Sequence, residues 1–308
     1  MDCDAAIFGG GAAGLWLLDL LTRRGAKAVL LEAGELGAGQ TIASQGIIHG
    51  GLKYTLQGLL TASASNIAEM PCLWRSCLAG RQAPDLTRTR GRSEHCHLWR
   101  TDSFASRMGM IGAKFGLRVA PQSLRSDDRP DVLQQCPGDV ARLDEQVIAP
   151  ASFLNSLASQ HQERLFQIDF QRGLEFGPAG TPRSIFLTTP GVERTQRNSL
   201  TIRPRWIVLT AGAGNAALRL RLGLSTPVMQ RRPLHMVMAR GDLPVLNGHC
   251  VDGARTRVTV TTDVDRYGRT VWQVGGQIAE AGVASEPQEL IAQAQKELTL
   301  AIPGLDLS

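Results

Sequence analysis

Apolar and polar positions at the start of the chain spell out a strand, a helix and a second strand. Ala5-Ala6-Ile7-Phe8 is an unbroken apolar run ending at Gly9, the pattern of a buried strand. A helical period follows, with Gly14, Leu18 and Leu21 on one face. Arg23-Arg24 close its last turn, where cations suit the helix dipole, and Gly25 stands where a helix stops. Ala28-Val29-Leu30-Leu31 then forms a second buried run that ends on Glu32. Farther along, Arg205 to Leu209 has the same buried-strand character and leads through Thr210-Ala211-Gly212 to a helix. Strand-like runs cover 234–238, 256–261 and 270–275, with Asp265-Arg266-Tyr267-Gly268 as a hairpin turn between the last two. Helices are predicted over Ala151–Gln160 and Pro287–Leu300.

The junction of the first strand and helix carries chemistry. Gly9-Gly10-Gly11-Ala12-Ala13-Gly14 has the spacing G-x-G-x-x-G. Gly9 permits a tight turn, Gly11 lets backbone approach a pyrophosphate, and Gly14 lets the helix lie close to the sheet. The amides of the turn, with those of Ala12 and Ala13, face the phosphates with a partial positive charge. Glu32 stands 18 residues beyond Gly14, where a carboxylate accepts ribose hydroxyls and repels the 2′-phosphate of NADP. A glycine-rich turn occurs in many α/β proteins. Here a strand precedes it, a helix follows, and an acid ends the next strand.

After Glu32 the chain runs through a loop rich in glycine and hydroxyls, containing Thr41, Ser44, Gln45 and Ile48-His49-Gly50-Gly51. This stretch resembles the D-amino-acid-oxidase-like superfamily of FAD enzymes, with most affinity to its glycerol-3-phosphate dehydrogenase and L-2-hydroxyglutarate oxidase branches. The resemblance implies FAD as cofactor, with Thr41, Ser44 and Gln45 beside it and His49 next to the flavin ring. It implies that the strand ending at Leu209 returns to the FAD sheet, bringing Ala211 and Gly212 near the cofactor. The segment Leu143 to Pro150 is a weaker match for a re-entry into that domain, lacking the family's acid near Ala149. Relatives continue past a stretch like Pro303-Gly304-Leu305-Asp306 into a segment that completes the FAD site, so that segment is expected to be missing from this chain.

The fold expected is α/β, a Rossmann-like FAD-binding domain interleaved with a mixed-sheet substrate domain. Residues 1–80 and 141–226 are assigned to the first, and 81–140 and 227–308 to the second.

Composition narrows the field. A chain of 308 residues with 43% hydrophobic and 20% charged residues suits a soluble two-domain protein. Its formal charge of +5 fits an anionic cofactor, an anionic small-molecule substrate, or loose attraction to nucleic acid or lipid headgroups. The basic residues are scattered, so no nucleic-acid partner is expected. Cys3, Cys72, Cys77, Cys96, Cys136 and Cys250 form no CxxC pair, which points to free thiols and a cytoplasmic location. Asp2, Asp4 and Asp19 argue against a signal peptide around Ala12–Leu21, and no stretch is apolar enough to span a bilayer.

The implied reaction moves a hydride from a small hydroxy acid or polyol phosphate to flavin. It needs a proton acceptor and cations for the substrate. His49 is the first candidate for the acceptor and His235 the second, with His249 weaker. Arg231, Arg232, Arg255 and Arg257 are candidate clamps for a carboxylate or phosphate, and Tyr54 a candidate for orienting substrate. His95-Cys96-His97 lacks the further ligands a metal needs and is assigned to structure. The alternatives are an amine or amino-acid oxidase of the same superfamily, or an incomplete, non-catalytic flavin-fold protein. The electron acceptor is unspecified.

Overall fold

The computed structural model describes residues 1–51, 67–101, 121–170, 174–175, 184–188, 199–224, 229–252 and 255–307. The chain divides into two units. The first comprises Met1–Ser44, Cys77–Thr89 and Pro150–Arg231, and the second Gln45–Ser76, Arg90–Ala149 and Arg232–Ser308.

In the first unit, β1 (Asp2–Phe8), α1 (Ala12–Arg23) and β2 (Ala28–Glu32) form the predicted strand–helix–strand. β1 is the centre of a six-stranded sheet. It runs parallel to β2, with Phe8 opposite Leu31. It also runs parallel to the return strand Ser199–Leu209, with Phe8 opposite Leu209. The strand Leu165–Gln167 lies parallel to β2 on its outer side. Ser184–Thr188 pairs antiparallel with the return strand. Ala6, Ile7 and Leu30 are fully buried, as their unbroken apolar runs require. α1 buries Gly14, Leu15, Leu18 and Asp19. It ends in a Schellman arrangement, with the Gly25 N–H donating to Thr22 O (2.9 Å) and the Ala26 N–H to Leu21 O (3.0 Å).

The second unit is built on a seven-stranded sheet. Its order is Val237–Gly241, Thr270–Gly275, Arg255–Val264, Gly248–Asp252, Cys96–Arg100, Val140–Leu143, Gln122–Ser123. All neighbours are antiparallel except Gly248–Asp252 with Cys96–Arg100, which makes the sheet mixed, as expected. Alternation sends Val258, Val260, Trp272 and Val274 to one face, where they form a core with Trp99. The helix Pro287–Ala301 lays Leu290, Ala294 and Leu298 on this core at helical spacing. The Trp99 indole N–H donates to Ala301 O (2.8 Å), tying the end of that helix to the sheet. The face opposite this core carries His249 and Thr259, which stand opposite one another in the ladder.

Two expectations are corrected. The run 234–238 becomes strand only from Val237, which stands opposite Val274 near the end of the partner strand Thr270–Gly275. Residues 45–76 and 141–149, expected in the FAD-binding domain, fall in the second unit, and 81–89 and 227–231, expected in the substrate domain, in the first. Backbone bonds explain the first shift. The Ile48 N–H donates to Gln146 O (2.8 Å), and the Ile148 N–H to Gly46 O (2.9 Å). Among the described residues no helix is long and apolar enough to cross a membrane.

Candidate functional site

Two constellations stand out, one in each unit. In the first, the motif glycines divide into two that protein packing requires and one that it leaves open. Gly9 takes φ +108°, and a Cβ there would sit 2.4 Å from the Ala211 Cα. A Cβ on Gly14 would sit 1.9 Å from the Gly9 carbonyl oxygen, so only glycine lets α1 start this close to β1. Gly11 differs. A Cβ there would meet only the Thr41 hydroxyl, at 3.1 Å, so its open side is the one a diphosphate can approach.

The expected partners gather around this turn. Glu32 points back at it, with its carboxylate accepting the N–H groups of Gly10 (2.6 Å), Ala33 (2.8 Å) and Gly34 (3.0 Å). An ionised carboxylate has about four acceptor positions, so capacity remains for a ribose hydroxyl. The Thr41 hydroxyl accepts the Ala12 N–H (3.1 Å), one of the unpaired donors at the start of α1. Ala13 lies in the first turn of that helix. The Ser44 hydroxyl donates to Thr41 O (2.8 Å) and steadies the same short helix, Gln40–Ala43.

On the return strand, the Thr210 hydroxyl lies 2.9 Å from Phe8 O and 3.0 Å from Gly9 O. The Ala211 N–H donates to Asn215 Oδ1 (2.7 Å), and Gly212 has open space where a side chain would be. Gln45 stands apart from this turn in the chain's division. It belongs to the second unit, and its amide nitrogen donates to Thr259 O (3.1 Å) and Gln273 O (2.8 Å), making it a tether to the sheet.

The second constellation joins His49, Glu145 and His249. Glu145 lies in the turn between the strands Val140–Leu143 and Val147–Ile148 and is buried, its side chain only 4% exposed. Its Oε1 accepts the Gly50 N–H at 2.6 Å. Its Oε2 lies 3.4 Å from His249 Nε2 and 3.6 Å from His49 Nδ1. His249 is as deeply buried as Glu145, and its Nδ1 is 3.0 Å from the Thr259 hydroxyl. His49 is different, with 54% of its side chain exposed. Burial alone would raise the pKa of Glu145, but the imidazoles of His249 and His49 outweigh it and hold the carboxyl well below its ordinary range. The group is therefore a buried carboxylate with two imidazoles around one of its oxygens and solvent on the side of one imidazole.

His235 is not part of this group. It is exposed, and its Nδ1 lies 3.3 Å from Gly282 O. Arg231 and Arg232 are exposed, and Arg257 is engaged by Glu297 (3.0 Å). His95 and His97 share a side as alternation requires, their ring centroids 5.1 Å apart. Among the described residues, neither belongs to a cluster of three or more potential metal ligands. Tyr54 lies outside the described residues. Glu145 received no role from sequence. The only local sign is a pair of acids, Asp144 and Glu145, between the apolar positions Leu143 and Val147, and the partners of Glu145 come from distant parts of the chain. All six cysteines are free thiols.

Comparison with known proteins agrees with the first constellation. Residues 4–306 match the DAO family, FAD dependent oxidoreductase. The probable FAD-dependent oxidoreductase PA4991 of Pseudomonas aeruginosa is 40% identical over 313 residues, spanning 100% of this chain and 77% of that protein. Its crystal structure matches with a TM-score of 0.80 at 36% identity, covering 100% of this chain and 75% of the other. Glycine oxidase from Geobacillus kaustophilus has a TM-score of 0.62 at 17% identity, over 98% of this chain and 78% of its own. L-alpha-glycerophosphate oxidase from Mycoplasma pneumoniae, with FAD bound, has a TM-score of 0.60 at 13% identity, over 100% and 80%. These last two share the fold, and the glycerophosphate branch is thus a distant structural neighbour. An open side at Gly11, with a carboxylate and a hydroxyl beside the turn, fits the cofactor such proteins use. The chain belongs to the DAO family of FAD-dependent oxidoreductases.

Proposed function

We propose that this oxidoreductase takes a hydride from a carbon bearing a hydroxyl, in a small hydroxy acid or polyol phosphate. His49 would accept the hydroxyl proton. The observation that carries this reading is the half-exposed His49 imidazole backed by the buried Glu145 carboxylate. A hydroxyl must lose its proton as the hydride leaves, and an imidazole whose proton gain is compensated by a carboxylate suits that task.

FAD, when bound, supplies the hydride acceptor. The amides of Gly11 and Ala13 would face its diphosphate, with the Ala12 N–H bonded to the Thr41 hydroxyl beside it and Gly9 and Gly14 shaping the turn. Glu32 would hold the ribose. Thr41, Ser44, Ala211 and Gly212 complete the proposed cradle, while His235 and Gln45 are left out of the chemistry.

The test is anaerobic exposure of the FAD-loaded protein to 2-hydroxy acids and polyol phosphates on one side and amino acids on the other. Loss of the visible flavin absorbance with a hydroxyl substrate is expected. Loss with amino acids alone would replace this reading with amine oxidation.

A further inference from the structure

The group behind His49 is more specific than a general base requires. Oε1 of Glu145 is fixed by the Gly50 N–H at 2.6 Å, so the carboxylate is anchored to the residue following His49. Its Oε2 is fully buried and has no hydrogen bond of ordinary length. What it faces is one nitrogen from each of two imidazoles, at 3.4 and 3.6 Å. A buried anionic oxygen is tolerated only where hydrogens point at it. His249 can supply one, because its other nitrogen has the Thr259 hydroxyl as a donor at 3.0 Å. His49 supplies the other.

We propose that Glu145 is a positioning residue that holds His49 as its Nδ1–H tautomer, so that Nε2 carries the lone pair on the exposed side of the ring. His249 and Thr259 complete the chain of hydrogens by satisfying the remaining side of the same oxygen. This inference rests on the reading of His49 as the proton acceptor, and it adds which nitrogen acts and what selects it. The proton balance is simple. The substrate hydroxyl proton goes to His49 Nε2, the ring becomes an imidazolium, and Glu145 stays ionised beside it throughout.

The carboxylate matters here as a carboxylate. In a Glu145→Gln variant the single amide oxygen is claimed by the Gly50 N–H. The NH₂ group then faces both imidazoles and demands lone pairs from them. His49 is driven to the opposite tautomer, with its hydrogen on Nε2 and no base to offer. A cation bound by the same three residues would likewise need lone pairs on both facing nitrogens, so metal content separates that arrangement from this one.

The experiment is ¹⁵N NMR of histidine-labelled, FAD-loaded full chain, with the His49 signals assigned from a His49→Asn variant. The Nδ1–H form is expected in the native protein and the Nε2–H form in Glu145→Gln. Glu145→Gln should also lower the rate of flavin reduction about 10²–10⁴-fold, with KM changed about twofold at most and partial recovery in Glu145→Asp. An Nε2–H tautomer in the native protein would overturn the proposal, as would one tightly bound metal ion per chain. If Glu145→Gln fails to fold, the native spectrum alone still decides. A native Nδ1–H tautomer together with full activity in His49→Asn would keep the positioning role and remove the base, so the two readings fail separately.

Discussion

Gly11 and Gly14 are three residues apart in one motif, yet the structure asks different things of them. A methyl group on Gly14 meets the Gly9 carbonyl oxygen at 1.9 Å, which backbone cannot yield without moving α1. Gly14→Ala is therefore expected to cost stability, by about 1–3 kcal/mol as overpacking usually does, measured by urea denaturation. Gly11→Ala meets only the Thr41 hydroxyl. Its fold should survive with little change, while FAD affinity falls on the order of tenfold or more, ~1.4 kcal/mol, measured by fluorescence titration. Equal stability losses in the two variants would contradict this division of labour. The turn these glycines shape and the return of Glu32 to it were legible in sequence because the whole unit is local, with 18 residues between Gly14 and Glu32. Glu145 was not. Its meaning comes from His49, Gly50 and His249, which no spacing along the chain brings together.

At the scale of elements, α1 carries a feature that the apolar pattern registered only as an interruption. Asp19 is buried on the helix face, where Arg23 Nε donates to it at 2.7 Å and His161 Nε2 stands 3.2 Å away. His161 follows the helix Pro150–Gln160, so the carboxylate links the two helices across 142 residues of chain. Removing one member of a buried charged group leaves the others unpaired. Asp19→Ala is expected to destabilise by about 2–4 kcal/mol, less than a fully buried pair because Arg23 is partly exposed. Unchanged urea midpoints would show that the link carries no weight.

In the second unit, burial and the neighbouring His95 push His97 from its ordinary 6.5 down to about 4. The unfolded chain then binds this proton more readily than the folded one. Stability from His97 is complete above pH 6.5 and is lost as pH falls toward about 4. His97→Gln should flatten the melting temperature across that window, and an unchanged slope would assign the acid loss elsewhere. Strongly patterned elements were readable in advance, as with Thr270–Gly275 and the helix from Pro287. The strand near 237 was misplaced because its start depends on where its partner ends, which local alternation does not record.

For the molecule as a whole, the glycine turn with Glu32 lies in one unit and the His49–Glu145–His249 group in the other, and the chain passes from the first to the second between Ser44 and Gln45. The interleaving was expected, but its boundaries were not, because backbone bonds from Gly46 and Ile48 to Gln146 and Ile148 assign that loop to the second unit. In the proposed reaction His49 takes the proton as FAD takes the hydride. Single-turnover flavin reduction under anaerobic conditions tests it most directly, comparing the native protein with His49→Asn, both loaded with FAD and given the substrate that bleaches the native flavin. His49→Asn is expected to keep the oxidised flavin spectrum unchanged and to lower the reduction rate by about 10²–10⁴-fold. Reduction of His49→Asn at the native rate would contradict it.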